Sequence, residues 1–214
     1  MISDNGVLDA VLLIAILLPS VILHEVSHGL VARSLGDPTA HEARRLSLNP
    51  IRHIDPFGSV LLPAMLALAH QNVFGWAKPV PVNPSRFRRN PVRGMALTAL
   101  AGPATNLAIA LAVGLAGPFT EVGDQVFLTS PGLWPEVLGA IVVVNAALAV
   151  FNMLPIPPLD GSRLLPLILP PAGRRVYAQF SQYGFLVLIV LVLIIPGTLS
   201  FLGTWIEWIV KLAA

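Results

Sequence analysis

The chain has 214 residues, of which 55% are hydrophobic and only 11% charged, and its mean hydropathy is +0.78. Soluble domains carry about 25% charged residues, so this balance excludes a soluble domain, a disordered chain and a secreted disulfide scaffold, and it predicts an all-α polytopic membrane protein. Without cysteine, thiol catalysis and thiolate metal ligands are also excluded.

Crossing the roughly 30 Å hydrocarbon core takes about 20 apolar residues, and four stretches qualify. The first runs from Val7 to Leu23 and on through His24, Glu25 and His28 to Ala32. No basic residue precedes it and ionisable groups sit inside it, so it does not read as a cleaved signal peptide. The second lies between Arg93 and Glu121 and the third between Glu136 and Asp160. The fourth spans Val176 to Ile206, where Pro196 and Gly197 predict a turn before a tail helix bearing the interfacial pair Trp205 and Trp208. Between the first two spans, Asp37–Pro56 and Lys78–Val82 are too broken by proline and asparagine for helices and are expected to form short extended strands. Phe57–Phe74 is apolar but short, is interrupted by Pro63 and has basic loops on both sides, which fits a re-entrant hairpin or shallow dip. No repeat or linker divides the chain, so residues 1–214 are expected to form a single membrane-embedded domain.

The 13 Lys and Arg cluster. Arg33, Arg44, Arg45 and Arg52 follow the first span, Lys78, Arg86, Arg88, Arg89 and Arg93 precede the second, and Arg163, Arg174 and Arg175 follow the third. The opposite loops carry Asp4, Glu121, Asp124 and Glu136 and no basic residue. The positive-inside rule then places the N-terminus outside and the basic loops in the cytoplasm, with the plasma membrane as the expected location. The run from Arg86 to Arg93 abuts a span, so anionic lipid headgroups rather than nucleic acid are its expected partner.

His24-Glu25-Val26-Ser27-His28 inside the first span is an HExxH pattern. Histidines at i and i+4 share one helical face and can bind one metal ion, and the intervening Glu then stands beside a metal-activated water. Ionisable residues within a membrane span are costly and are functional by default. Catalytic zinc takes three protein ligands, and a carboxylate can complete a His₂ set. Asp9 is about 22 Å from His24 along the helix, too far. Asp55 and Asp160 remain. Asp160 is favoured because Pro155, Pro157 and Pro158 break the helix before it and Gly161 permits a tight turn, whereas Asp55 beside Pro56 fits a turn former.

The pieces His24–Gly29, Ala101-Gly102-Pro103-Ala104-Thr105-Asn106 and Phe151-Asn152-Met153-Leu154-Pro155-Ile156-Pro157-Pro158-Leu159-Asp160-Gly161 together resemble the site-2 protease family of intramembrane zinc metalloproteases, in its compact prokaryotic form. The resemblance implies a three-helix catalytic core followed by C-terminal helices. It implies that His24, His28 and Asp160 bind Zn²⁺, that Glu25 is the catalytic base or acid, and that Asn152 lies near the scissile carbonyl. Gly75–Asn83 is similar to a family segment expected near the substrate, as an edge for an extended peptide. A preceding span, an inserted peptide-binding domain or a terminal nucleotide-sensing domain, carried by many relatives, does not fit within these residues, so a nearly bare catalytic core is expected.

Asn152 has two readings, a hydrogen-bond donor to the developing oxyanion or an interhelical Asn. For Asn106 and Asn145 the interhelical reading is preferred. His41, His53 and His70 read as loop or interface residues. The expected activity is hydrolysis of a peptide bond within or near the transmembrane segment of a single-span membrane protein. The alternatives are a membrane metal-binding or transport protein that uses the same ligands without hydrolysis, and a catalytically silent relative that only binds membrane proteins. Glu25 distinguishes hydrolysis from transport, because transport has no need of a base beside the first His.

Overall fold

The structure, a computed structural model, describes residues 6–61, 65, 77–115, 117, 119–122, 125–128, 132–191 and 200–213. Among them three helices are long and apolar enough to cross a membrane: α1 (Gly6–Ser34), α3 (Pro91–Gly114) and α4 (Leu133–Asn152). Each is apolar on all sides rather than along one stripe, as expected of helices that face lipid where they do not face protein. Val11, Ile14 and Leu30 of α1 and Leu97 of α3 are accordingly exposed. Pro19 and Pro103 sit inside α1 and α3, a position tolerated where neighbouring helices satisfy the freed backbone groups.

The start of α3 follows from its sequence. Pro91 presets the first helical residue, and the Asn90 side chain accepts from the Val92 and Arg93 amides. Small residues line the buried side of the bundle: Ala96, Ala99, Gly102 and Ala110 of α3, and Gly139, Ala146 and Ala149 of α4. Without a hydrophobic drive between helices in lipid, close backbone approach through small side chains is what holds such helices together. A C-terminal helix, α8 (Phe201–Ala213), packs alongside α3 and α4. Its Ile209 and Ala213 join Ala110, Val142 and Ala146 in one buried cluster, and a β-carbon on Gly114 would collide with Ala213. Trp205 and Trp208 project from it, exposed.

Beyond α4 the chain cannot stay helical. Pro155, Pro157 and Pro158 break it, and it re-forms as a short 3₁₀ turn over Asp160–Leu164, followed by α5 (Leu165–Ile168), α6 (Pro171–Ser181) and α7 (Gly184–Ile189). Leu154 and Leu159 pack with Leu188 and Leu202, which fixes this turn against the C-terminal helices.

Three expectations change. Asp37–Pro56 does not form strands: it holds a one-turn helix, α2 (Thr39–Glu42), and a 3₁₀ turn at Pro50–His53 in which the Asn49 side chain accepts the Ile51 amide. Lys78–Val82 has no ladder either, since Pro79 and Pro81 lack amide protons. Its free amides go singly, Lys78 N to the His53 carbonyl at 2.9 Å and Val80 N to Glu25. The expected crossing from Val176 does not start there: Val176 lies on α6, which ends at Ser181 and exposes Val176 and Phe180, and residues 192–199 of that stretch lie outside the described residues. A two-stranded antiparallel hairpin, with no counterpart among the expected elements, pairs β1 (Phe119–Val122) with β2 (Gln125–Leu128) in the loop between α3 and α4. Most of Phe57–Phe74, together with His70, Gly75, Trp76, Pro196 and Gly197, lies outside the described residues.

Candidate metal centre

His24 and His28 stand one turn apart on α1, and the 3₁₀ turn after α4 brings Asp160 across to them. The ligand atoms form a tight triangle: His24 Nε2 to His28 Nε2 is 3.0 Å, and Asp160 Oδ2 is 3.1 Å from each. All three residues are buried. Two ligands held tetrahedrally at about 2.0 Å from one ion would stand roughly 3.3 Å apart, close to this spacing.

The hydrogen bonds outside the triangle bear on what it could hold. His28 Nδ1 lies 2.7 Å from the Thr98 carbonyl, which only accepts, so Nδ1 carries the proton and Nε2 presents a lone pair. His24 Nδ1 lies 2.5 Å from Asn106 Oδ1, again an acceptor, with the same result. A carboxylate oxygen offers only lone pairs as well. With both imidazoles neutral, three lone pairs therefore converge, an arrangement that repels itself unless a cation occupies the centre. Imidazole and carboxylate donors suit zinc, and the second-sphere contacts are those that orient histidine ligands. Gly102 supplies the room, since a β-carbon there would lie 2.5 Å from Nε2 of both histidines.

Glu25, next to His24, faces a different neighbour: its Oε2 accepts the Val80 amide at 2.7 Å. The Lys78–Asn83 segment thus lies against the HExxH helix. Two contacts hold it there. Arg45 Nη2 donates to the Lys78 carbonyl at 2.6 Å, and fully buried Asp37 accepts the Asn83 amide at 2.6 Å while also accepting from the Thr39 backbone and hydroxyl. Burial pushes the Asp37 carboxyl up, but these hydrogen bonds and nearby Arg86 outweigh it and hold the group below the usual carboxylate range.

Asn152 is at the end of α4, with Nδ2 donating to the Leu148 carbonyl of its own helix at 2.9 Å. Asp55 lies elsewhere and caps the turn that follows, accepting the Phe57 and Gly58 amides at 3.1 and 2.7 Å. His53 is buried as a loop anchor, donating from Nε2 to the Ser47 carbonyl at 2.7 Å, and His41 is at the surface beside Arg33. Asn106 and Asn145 make the interhelical bond expected of them, 2.8 Å between Nδ2 and Oδ1. Sequence reasoning misses Arg163, whose Nη1 is 3.8 Å from Asp160 Oδ1, although its place three residues after Asp160 is a signal. The Thr98 carbonyl carries no sequence mark at all.

A family model described as peptidase family M50 matches residues 115–195, the portion that carries Asp160. YwhC of Bacillus subtilis, a predicted zinc metalloprotease, is 36% identical over 208 residues, covering 92% of this chain and 84% of that protein. The chain belongs to peptidase family M50. This is the site-2 protease family of zinc metalloproteases, and the M50 relationship extends to the predicted zinc metalloprotease Rip2 of Mycolicibacterium smegmatis, 32% identical over 92% of this chain and 72% of Rip2. The Rip2 of Mycobacterium tuberculosis is 34% identical over 86% of this chain and 67% of that protein. No solved structure matches the chain.

Proposed function

We propose that this M50 member is an intramembrane metalloprotease that hydrolyses a peptide bond within or near the transmembrane segment of a single-span membrane protein, as in regulated intramembrane proteolysis. His24, His28 and Asp160 hold the zinc, Glu25 is the general base and Asn152 the candidate oxyanion donor. The single domain 1–214 sits in the plasma membrane with its N-terminus outside. The observation that carries the reading is the convergence of three buried metal-ligating side chains, His24, His28 and Asp160, at a helix long and apolar enough to span the bilayer. His24 is about 15 Å of helix from Ser34, the end that the basic loops mark as cytoplasmic, so the active site lies toward that side.

Zinc, when bound, supplies Lewis acidity that activates water and polarises a carbonyl oxygen. The remaining work falls to the protein. Glu25 takes the proton from the attacking water and later delivers it to the leaving amine. The Val80 amide, bonded to Oε2, leaves the other carboxylate oxygen for that proton. To serve the oxyanion, Asn152 Nδ2 exchanges its bond to the Leu148 carbonyl for one to the substrate. The substrate helix must unwind locally to expose its carbonyl, and the Lys78–Asn83 segment beside Glu25 is the edge on which an extended peptide would lie.

Glu25→Gln tests the reading. Its amide oxygen can still accept the Val80 N–H, so fold and zinc should persist while cleavage of a single-span peptide falls by at least about a hundredfold. Retained cleavage would remove Glu25 as the base, and lost zinc would make it a ligand.

A further inference from the structure

A chain of buried polar groups crosses all three spanning helices and ends on His24. Its direction can be read from the backbone carbonyls that anchor it. Asn145 Nδ2 contacts the Ile141 carbonyl at 2.9 Å and Ser20 Oγ at 3.0 Å. A carbonyl cannot donate, so the atom facing Ile141 must be the amide nitrogen. Ser20 agrees: its hydroxyl proton goes to the Ile16 carbonyl at 2.8 Å, leaving the oxygen to accept from Asn145. Asn145 therefore presents Oδ1 to Asn106 and can only accept, at 2.8 Å, from Asn106 Nδ2, whose second proton points to the Ser20 carbonyl at 3.4 Å. That leaves Asn106 Oδ1 facing His24 Nδ1. Asn106 and Asn145 are fully buried, and Ser20 and His24 nearly so, so bulk water cannot substitute for a missing link.

We infer that Asn145, which touches no metal ligand, is a positioning residue: with Ser20 it fixes the orientation of the Asn106 amide, which selects the His24 tautomer carrying its proton on Nδ1 and so frees Nε2 for zinc. Without Asn145, the Asn106 amide loses the shorter of the two contacts that hold its nitrogen away from His24 and keeps only the 3.4 Å contact to the Ser20 carbonyl. It can then turn and donate to Nδ1, moving the imidazole proton to Nε2, where it blocks coordination. His28 is a built-in control, because the Thr98 carbonyl holds its Nδ1–H without this chain. The inference rests on the zinc-ligand reading of His24 above.

The test has two readouts on the full chain. In metal-free protein, nitrogen NMR of the histidine rings, recorded as the pH is raised until the ring signals stop changing, should show neutral His24 protonated on Nδ1 in the wild type. In Asn145→Leu, similar in size, His24 should shift to Nε2–H while His28 does not. Zinc affinity, measured by chelator competition, should fall by about 10- to 100-fold in Asn145→Leu, the range for loss of an outer-shell partner. It should recover to within about threefold in Asn145→Asp, because burial favours the protonated carboxyl, whose one oxygen still accepts from Asn106 while its hydroxyl donates toward the Ile141 carbonyl. Wild-type His24 found as Nε2–H would overturn the inference without any variant, as would folded Asn145→Leu with unchanged affinity. Failure of the ligand reading looks different, since His24→Ala would then keep zinc whatever the tautomer.

Discussion

Gly102 on α3 backs directly onto His28 of α1: a β-carbon there would lie 2.5 Å from His28 Nε2 and equally close to His24 Nε2. The proposed metal centre thus depends on a residue that offers no ligand. Gly102→Ala should push both imidazoles off the triangle and lower zinc affinity at least tenfold, an effect of the size seen when ligands lose their orientation. A helix interior otherwise gains from Gly→Ala by up to about 1 kcal/mol, so metal content and thermal midpoint are the pair to measure. Unchanged zinc in this variant would mean that α3 is not packed on the histidines as described.

Asp160 and Asp55 separate cleanly. Asp160→Ala should lose zinc and activity together, because it removes one of the three converging donors. Asp55→Ala should keep zinc and lose only a turn cap, about 1 kcal/mol, because that side chain is engaged with the Phe57 and Gly58 amides. Metal content by elemental analysis distinguishes them, and the reverse pattern would make Asp55 the ligand.

Much of the centre is legible in the sequence itself. The HExxH spacing puts two imidazoles on one face, and the proline run ahead of Asp160 explains why a carboxylate more than a hundred residues away can turn toward them. The buried rows of Gly and Ala on α3 and α4 do not stand out in the same way, because hydropathy measures transfer into lipid and says little about which helices touch. The Thr98 carbonyl is invisible, since every residue has one. The expected strands fail for a local reason: the prolines that argue against long helices at Asp37–Pro56 and Lys78–Val82 also remove the amide protons a ladder needs. Asn106 shows a further limit. An interhelical asparagine is expected there, but only the three-dimensional placement reveals that one of its partners is His24.

Asn152 makes a sharper test of mechanism than of fold. Its amide is bonded to the Leu148 carbonyl, so Asn152→Ala should cost little stability. If the side chain exchanges that bond for one to the oxyanion, kcat should fall by about a hundredfold with KM and zinc content nearly unchanged. Equal kcat would confine Asn152 to its own helix.

Asp37 sets a pH dependence. Its carboxyl is pushed up by burial, but hydrogen bonds from Thr39 and Asn83 outweigh that and hold it below the usual range, so its ionised form stabilises the fold. That contribution is fully present above the unfolded value of about 3.9 and is lost as pH falls through the lower folded value. Asp37→Asn, which turns an amide donor toward one of the donors it must satisfy, should therefore lower the thermal midpoint at neutral pH. The gap to wild type should close as the pH drops below about 4. A pH-independent gap would contradict the assignment.

The most direct measurement is cleavage of a single-span model peptide by the purified zinc-loaded protein in sealed lipid vesicles, with the cut mapped by mass spectrometry. The predicted result is a cut within or beside the transmembrane segment, abolished by chelation, restored by zinc and absent in Glu25→Gln. An intact peptide beside protein that holds zinc at His24, His28 and Asp160, with zinc instead crossing the vesicle membrane, would contradict it.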